Sequence, residues 1–198
     1  MPASQMILLI GLLYILGFGA LSFMRRQGLS TRFAIEGGLI TGVAAALATS
    51  IPVNAVLFFI ILYVITMRVR LLVDLGNALA SKKHYQQTLD LYRFALRLGP
   101  DAVSRQIVLI NRGVTQLRMQ EPEAARLTLE AVLAEEHLRP GAKYMAAGYY
   151  NLGVACRHTG HEAEAIQHFN EAIDSLPHSI YAHAAQLALK KNRADAAN

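Results

Sequence analysis

The sequence predicts an all-α protein, with apolar membrane helices in its first third and a stack of helical hairpins after them. Three observations predict this. Nearly uncharged apolar runs fill most of residues 6–67. A helix-turn-helix pattern in Gly148–Pro177 recurs twice upstream. Positive charge sits beside the apolar runs rather than on one polar surface. Hydrophobic residues make up 54% of the 198 positions, and mean hydropathy is +0.30. That is too apolar for a purely soluble domain of this size. The chain holds 19 Lys+Arg and 14 Asp+Glu, for a net charge of +5. Arg25, Arg26, Arg32, Arg68 and Arg70 stand against Glu36 in the first 70 residues, which leaves 14 and 13 beyond. The rest of the chain is therefore close to neutral, and a nucleic-acid surface is not expected.

The first run, Met6 to Met24, is uncharged and long enough to span a bilayer. A cleaved leader would carry a positive residue before its apolar core. Here MPASQ has none, and Arg25 and Arg26 follow the run, so an uncleaved span with its N-terminus outside is expected. Phe33 to Met67 would be about 50 Å long as one helix, against an apolar thickness of roughly 30 Å. Ser50-Ile51-Pro52-Val53-Asn54 is a turn signal within it. Splitting there gives spans at 34–50 and 53–67. The arginines on both sides of this stretch should share the cytoplasmic face, which requires an even number of crossings between them. A transmembrane region over residues 1–67 with three spans follows; two spans with one long tilted helix is the alternative. Gly38, Gly42, Ala46 and Ser50 recur every four residues and are candidates for close helix packing against the last span, the first span or another subunit.

No linker separates Met67 from Leu72, so the last span is expected to run on into the first hairpin, holding the hairpins close to the membrane. In that hairpin Leu72, Leu75, Gly76, Tyr92, Ala95 and Pro100 mark the pattern. The second is degenerate: Gly113, Ala125 and Leu129 are in place, but Arg112 stands where a leucine is usual and Pro140 is displaced. A longer connector, Glu136 to Lys143, precedes the third. There Tyr149, Leu152, Gly153, Ala165, Phe169, Ala172 and Pro177 all fit. Gly153 and Ala165 let the two helices approach, Phe169 fills the space between pairs, and Pro177 ends the second helix. Leucine at Gly113 is expected to cost less than at Gly153, because the second unit is degenerate. Ser179 to Arg193 reads as a capping helix with Ile180, Ala184 and Leu187 on its apolar face. The last residues, ADAAN, should fray. The lone cysteine, Cys156, has no disulfide partner and reads as a small core residue.

These residues resemble the tetratricopeptide-repeat superfamily over roughly Val69 to Ser179, with units near 69–102, 106–139 and 146–179. The resemblance implies a right-handed α-solenoid over 68–198 whose concave groove binds proteins or peptides. Carried over position by position, the groove comprises Arg70, Val73, Asn77, Ile107, Ile110, Asn111, Val114, Ala147, Tyr150, Asn151 and Val154. Members that clamp a terminal carboxylate place cations where this chain has Val73, Ala147 and Asn151, so a carboxylate clamp is not expected. Asn side chains pair instead with the backbone of an extended peptide, while the apolar groove residues take its side chains.

No catalytic constellation, phosphate loop or metal set is expected. His158, His161 and His168 read as turn and surface residues, and Glu162 and Glu164 suit a helix start. No cofactor or small-molecule substrate is implied. The expected role is a non-enzymatic membrane scaffold: an assembly factor or structural subunit of a membrane complex, with protein partners, lipid around its spans and cytoplasmic repeats. The composition has a bacterial cast, hence an inner membrane. The alternative is a small transporter or channel component with a regulatory repeat domain. Against it, the spans carry no charge besides Glu36 near one end.

Overall fold

A computed structural model describes residues 1–24, 30–135 and 141–195. Arg25, Arg26, Pro140, most of the connector before the third hairpin and the last three residues lie outside them. Every regular element among the described residues is helical: α1 Ala3–Met24, α2 Thr31–Leu47, α3 Ala55–Ser81, α4 Tyr85–Arg97, α5 Ala102–Arg118, α6 Pro122–Leu133, α7 Ala142–His158, α8 Glu162–Ser175 and α9 Ile180–Asp195. The chain forms two units, Met1–Leu71 and Leu72–Asn198.

In the first unit Ile7, Tyr14, Ala45, Phe58 and Leu62 form a core drawn from α1, α2 and α3. The Ser30 hydroxyl caps α2 by accepting from the Phe33 N–H at 3.4 Å. The expected turn before α3 is present, and Asn54 Oδ1 accepts from the Val56 and Leu57 N–H groups, each at 3.0 Å. Two helical stretches, Ala3–Ser22 and Ala55–Ser81, are long and apolar enough to cross a membrane. Their outer surfaces are apolar, with Leu12, Leu13, Leu16, Val56 and Leu57 exposed. α2 has 17 residues, about 25 Å of helix.

The face that α2 buries is Gly37, Thr41 and Ala45, one residue away from the stripe read in the sequence. A Cβ on Gly11 of α1 would land on the Thr41 side chain, and one on Gly37 would sit 3.1 Å from Ile15. Gly38, Gly42, Ala46 and Ser50 are all exposed, and Cβ atoms on the two glycines would meet open space. Neither α1 nor α3 is therefore their packing partner. Two polar pairings link the helices of this unit, whereas the buried Thr41 hydroxyl has no hydrogen-bond partner among the described residues. The Tyr14 hydroxyl lies 2.6 Å from Thr66 Oγ1, and Glu36 bridges Arg32 and Arg68, each at 2.6 Å.

The second unit repeats one hairpin three times. Gly76, Gly113 and Gly153 each lie on the first helix of a hairpin. Seven residues on, Lys83, Gln120 and Gly160 all have positive φ, at 66°, 63° and 83°. The following N–H groups close the same bond: His84 to the Leu79 carbonyl at 3.0 Å, Glu121 to Gln116 at 3.0 Å, and His161 to Cys156 at 2.8 Å. This 6→1 bond ends each first helix and turns the chain back. Sixteen residues after each glycine comes a fully buried bulky side chain: Tyr92, Leu129 and Phe169. Each faces its glycine. A Cβ on Gly76 would collide with the Tyr92 ring, one on Gly113 would lie 2.6 Å from Leu129, and one on Gly153 would lie 2.8 Å from Phe169 and 3.1 Å from the Ala165 carbonyl. The second hairpin is thus as tight as the third, which revises the expectation of a more tolerant Gly113.

α9 docks through Ala182 and Ala185, both buried, with Ala188 and Leu189 packed on the same core. The expected apolar face is corrected here: Ile180 is 76% exposed and Leu187 53%. The alanine stripe lies inward because small side chains let the helix backbone come close to its neighbours.

Gly113→Leu and Gly153→Leu are each expected to destabilise the second unit by about 1–3 kcal/mol through overpacking. Denaturant melts of the full chain in detergent should show similar losses for the two. A Gly113→Leu variant as stable as the parent would mean that the second hairpin is not held by the Gly113–Leu129 contact.

Candidate protein-binding groove

In the second unit each helix packs on the next, from α4 through α9. In addition α5 touches α7 and α7 touches α9, whereas α4, α6 and α8 do not touch one another among the described residues. First helices therefore lie closer together than second helices. An array built this way curves, with α5, α7 and α9 on its inner side.

The inner surface only partly matches the eleven positions read from the sequence. Arg70 is exposed but belongs to the first unit. Val73, Ile107, Ile110 and Ala147 are buried and serve packing. Asn77 is exposed, and its Oδ1 accepts from the Tyr92 hydroxyl at 2.8 Å. Asn111 and Asn151 donate back to their own helices, to the Ile107 carbonyl at 2.8 Å and the Ala147 carbonyl at 2.7 Å. Their Oδ1 atoms remain without a bond among the described residues. Val114 and Val154 are half-buried. Tyr150 is half-buried too, but its ring packs 5.9 Å from Phe169 and 6.2 Å from Tyr181 of α9. It holds the last helix as much as it shapes the surface.

Three inner residues were missed. Continuing the α5 and α7 stripes by one helical turn reaches Arg118 and His158, and Lys191 lies on the neighbouring inner helix α9; all three are exposed. The spacing i, i+4, i+7, i+11 along Ile107, Asn111, Val114 and Arg118 would have found the first. Tyr181 joins the same side. Burial raises its hydroxyl pKa, and the Arg118 charge opposes that rise.

Residues 146–179 match the tetratricopeptide repeat family model, and residues 177–198 match a second tetratricopeptide repeat model. Over residues 146–198 this is a tetratricopeptide-repeat chain. No curated protein and no solved structure matches it. The first match is the α7/α8 hairpin. The second takes in α9, so the helix read as a cap also carries the repeat's own pattern. The two hairpins before the matched residues share the repeat's glycine, turn and bulky-residue offsets.

Two histidines of the third repeat, His161 and His168, have local partners. His161 Nδ1 lies 3.0 Å from Thr159 Oγ1. His168 Nδ1 lies 2.7 Å from Glu171, and its ring stacks on Tyr149 at 6.2 Å. The fold also gathers Glu130, Cys156 and Glu164, whose ligand atoms lie within 4.8 Å of one another. The sequence does not reveal this grouping, because it joins α6, α7 and α8. Burial, then the Glu164 and Glu130 carboxylates, push the Cys156 thiol up to about 11, so it stays protonated at neutral pH. Glu130 is engaged by Arg126 at 2.7 Å.

Burial also pushes the Tyr92 hydroxyl up to about 12 from 10.0. The folded state then holds this proton more tightly than the unfolded chain. The associated stability is complete below pH 10 and declines as pH rises toward 12. Its loss by pH 12 is expected to be about 2 kcal/mol. Urea unfolding at pH 9 and pH 12 should show a drop that Tyr92→Phe reduces by about that amount. An equal drop in the variant would place the alkaline sensitivity elsewhere.

Proposed function

We propose that this protein is a membrane-anchored tetratricopeptide-repeat scaffold that holds a protein partner against the inner layer of α5, α7 and α9. In this reading it serves as an assembly factor or structural subunit of a membrane complex. The observation that carries it is the layer itself: Val114 and Val154 half-buried beside Asn111 and Asn151, each with an unused amide oxygen. An extended peptide offers backbone N–H groups for such oxygens and side chains for such apolar positions. The two long apolar helices support the anchor. The proposed topology has three spans, an outside N-terminus and cytoplasmic repeats in a bacterial inner membrane. α2 is short for a bilayer and would cross as part of a hairpin with α3. Glu36, the charge that a transport role would call on, is tied to Arg32 and Arg68.

Groove binding is tested without touching Tyr150, whose loss would loosen α9. Replacing Asn111, Asn151 and Val114 together by Ala is expected to weaken partner binding by about 2 kcal/mol or more. Stability should stay within about 1 kcal/mol of the parent. The readout is the set of proteins co-purified in mild detergent, beside the melting curve. Retention of the same partner by a folded triple variant would move the binding site off this layer.

Topology is tested with cysteines at Ser4, Gln27, Asn54 and Lys191, since native Cys156 is buried. An impermeant maleimide should label positions 4 and 54 from outside, and 27 and 191 only after permeabilisation. Protection at 54 together with outside labelling at 191 would overturn the three-span arrangement.

A further inference from the structure

The near neutrality of the repeat region hides a division between its two layers. α5 and α7, on the inside, contain no Asp or Glu. They carry Arg105, Arg112, Arg118, Lys143 and Arg157 instead. Inner α9 adds Lys190 and Lys191 before the Asp195 at its end. Outer α8 is the reverse, with Glu162, Glu164, Glu171 and Asp174 and no Lys or Arg. In outer α6, Arg126 is taken up by Glu123 and Glu130. The first hairpin does not share the division, since its first helix carries Asp74.

The basic groups are not all spent within the fold. Arg105 pairs with Glu135 at 3.2 Å, and Arg157 lies over the Phe169 ring at 5.2 Å. Arg118 and Lys191 are exposed, and neither forms an ion pair with a described side chain; the side chains of residues 192–195 lie outside those described. Arg118 continues the stripe that carries Val114 on α5, and Lys191 lies one turn beyond Ala188 on the inner helix α9. A partner lying along this layer meets apolar positions, amide oxygens and then cations.

We infer that the occupant of the groove is an acidic segment of a partner protein, extended, with Asp or Glu interspersed among apolar residues. This rests on the groove reading above and adds the chemistry of the ligand. The inner cations attract such a segment, while the acids of α8 repel it from the outer surface. A basic segment would be steered to the wrong side. A lipid surface is also anionic, but it is planar, and the layer that carries the cations is the concave one.

The test uses the full chain in a zwitterionic detergent and two fluorescent peptides. One alternates Glu with Val and Leu; the other has Gln at every Glu. The Glu peptide is expected to bind at least about tenfold more tightly at low salt, and to lose that advantage as salt is raised. Arg118→Glu with Lys191→Glu should abolish the preference while leaving the melting curve unchanged, since both side chains are exposed. Arg118→Gln with Lys191→Gln should give an intermediate loss. Equal binding of the two peptides would keep the groove and overturn the acidic occupant. Binding of neither peptide would overturn both readings. If the chain in neutral-lipid nanodiscs ignored the Glu peptide but captured phosphatidylglycerol vesicles in a charge-reversal-sensitive way, the cations would face lipid and the proposal would fall.

Discussion

Each hairpin of the second unit is held by a glycine on one helix facing a large side chain on the other. The first helix must offer no Cβ where Tyr92, Leu129 or Phe169 arrives, and the second helix must bring a buried bulky group there. With that contact made, the rest of the hairpin follows. The chain turns back seven residues after the glycine through a left-handed residue and a 6→1 bond. Residues such as Thr88, Ala125 and Ala165 then lie buried on the second helix opposite the first. Lys83 and Gln120 adopt the left-handed conformation despite their side chains, which shows how strongly the packing on either side dictates the turn.

Stacking converts these hairpins into a surface. One hairpin leaves an apolar side uncovered, and the next one covers it. Cys156 and Phe169 lie at such a meeting of helices, in a core shared by α5 through α9. Contact between first helices but not between second helices bends the array, so two layers of different exposure and charge arise from one repeated pattern. Curvature brings the stripes of α5, α7 and α9 together on the inner layer, which is what the proposed groove relies on.

The first unit obeys a different constraint. A polar group on an apolar helix must find its partner inside the protein if lipid surrounds it. Tyr14 reaches Thr66, and Glu36 takes both Arg32 and Arg68. These links join α1 to α3 and α2 to α3, so the few polar side chains of the unit also fix which helices are neighbours. The small residues do the complementary work, since Gly11 admits Thr41 and Gly37 admits Ile15.

Sequence alone determined the features that recur at constant spacing. The repeat register is one of them, down to the 146–179 bounds that the family model shares. The apolar runs, the turn at 50–54 and the acids opening α8 are others, because each depends on residues near one another in the chain. Tertiary structure decided every choice between adjacent faces of one helix. On α2 the Gly38 stripe and the Gly37 stripe are both rich in small residues, and only the approach of α1 selects the second. On α9 the Ile180 stripe is the more hydrophobic, yet the alanine stripe is buried, because backbone approach to α7 and α8 favours small side chains over large ones. The groove divides for the same reason. Val73, Ile107, Ile110 and Ala147 share the spacing of exposed positions, but neighbouring helices cover them, and coverage is a property of the neighbours that spacing within one helix does not contain.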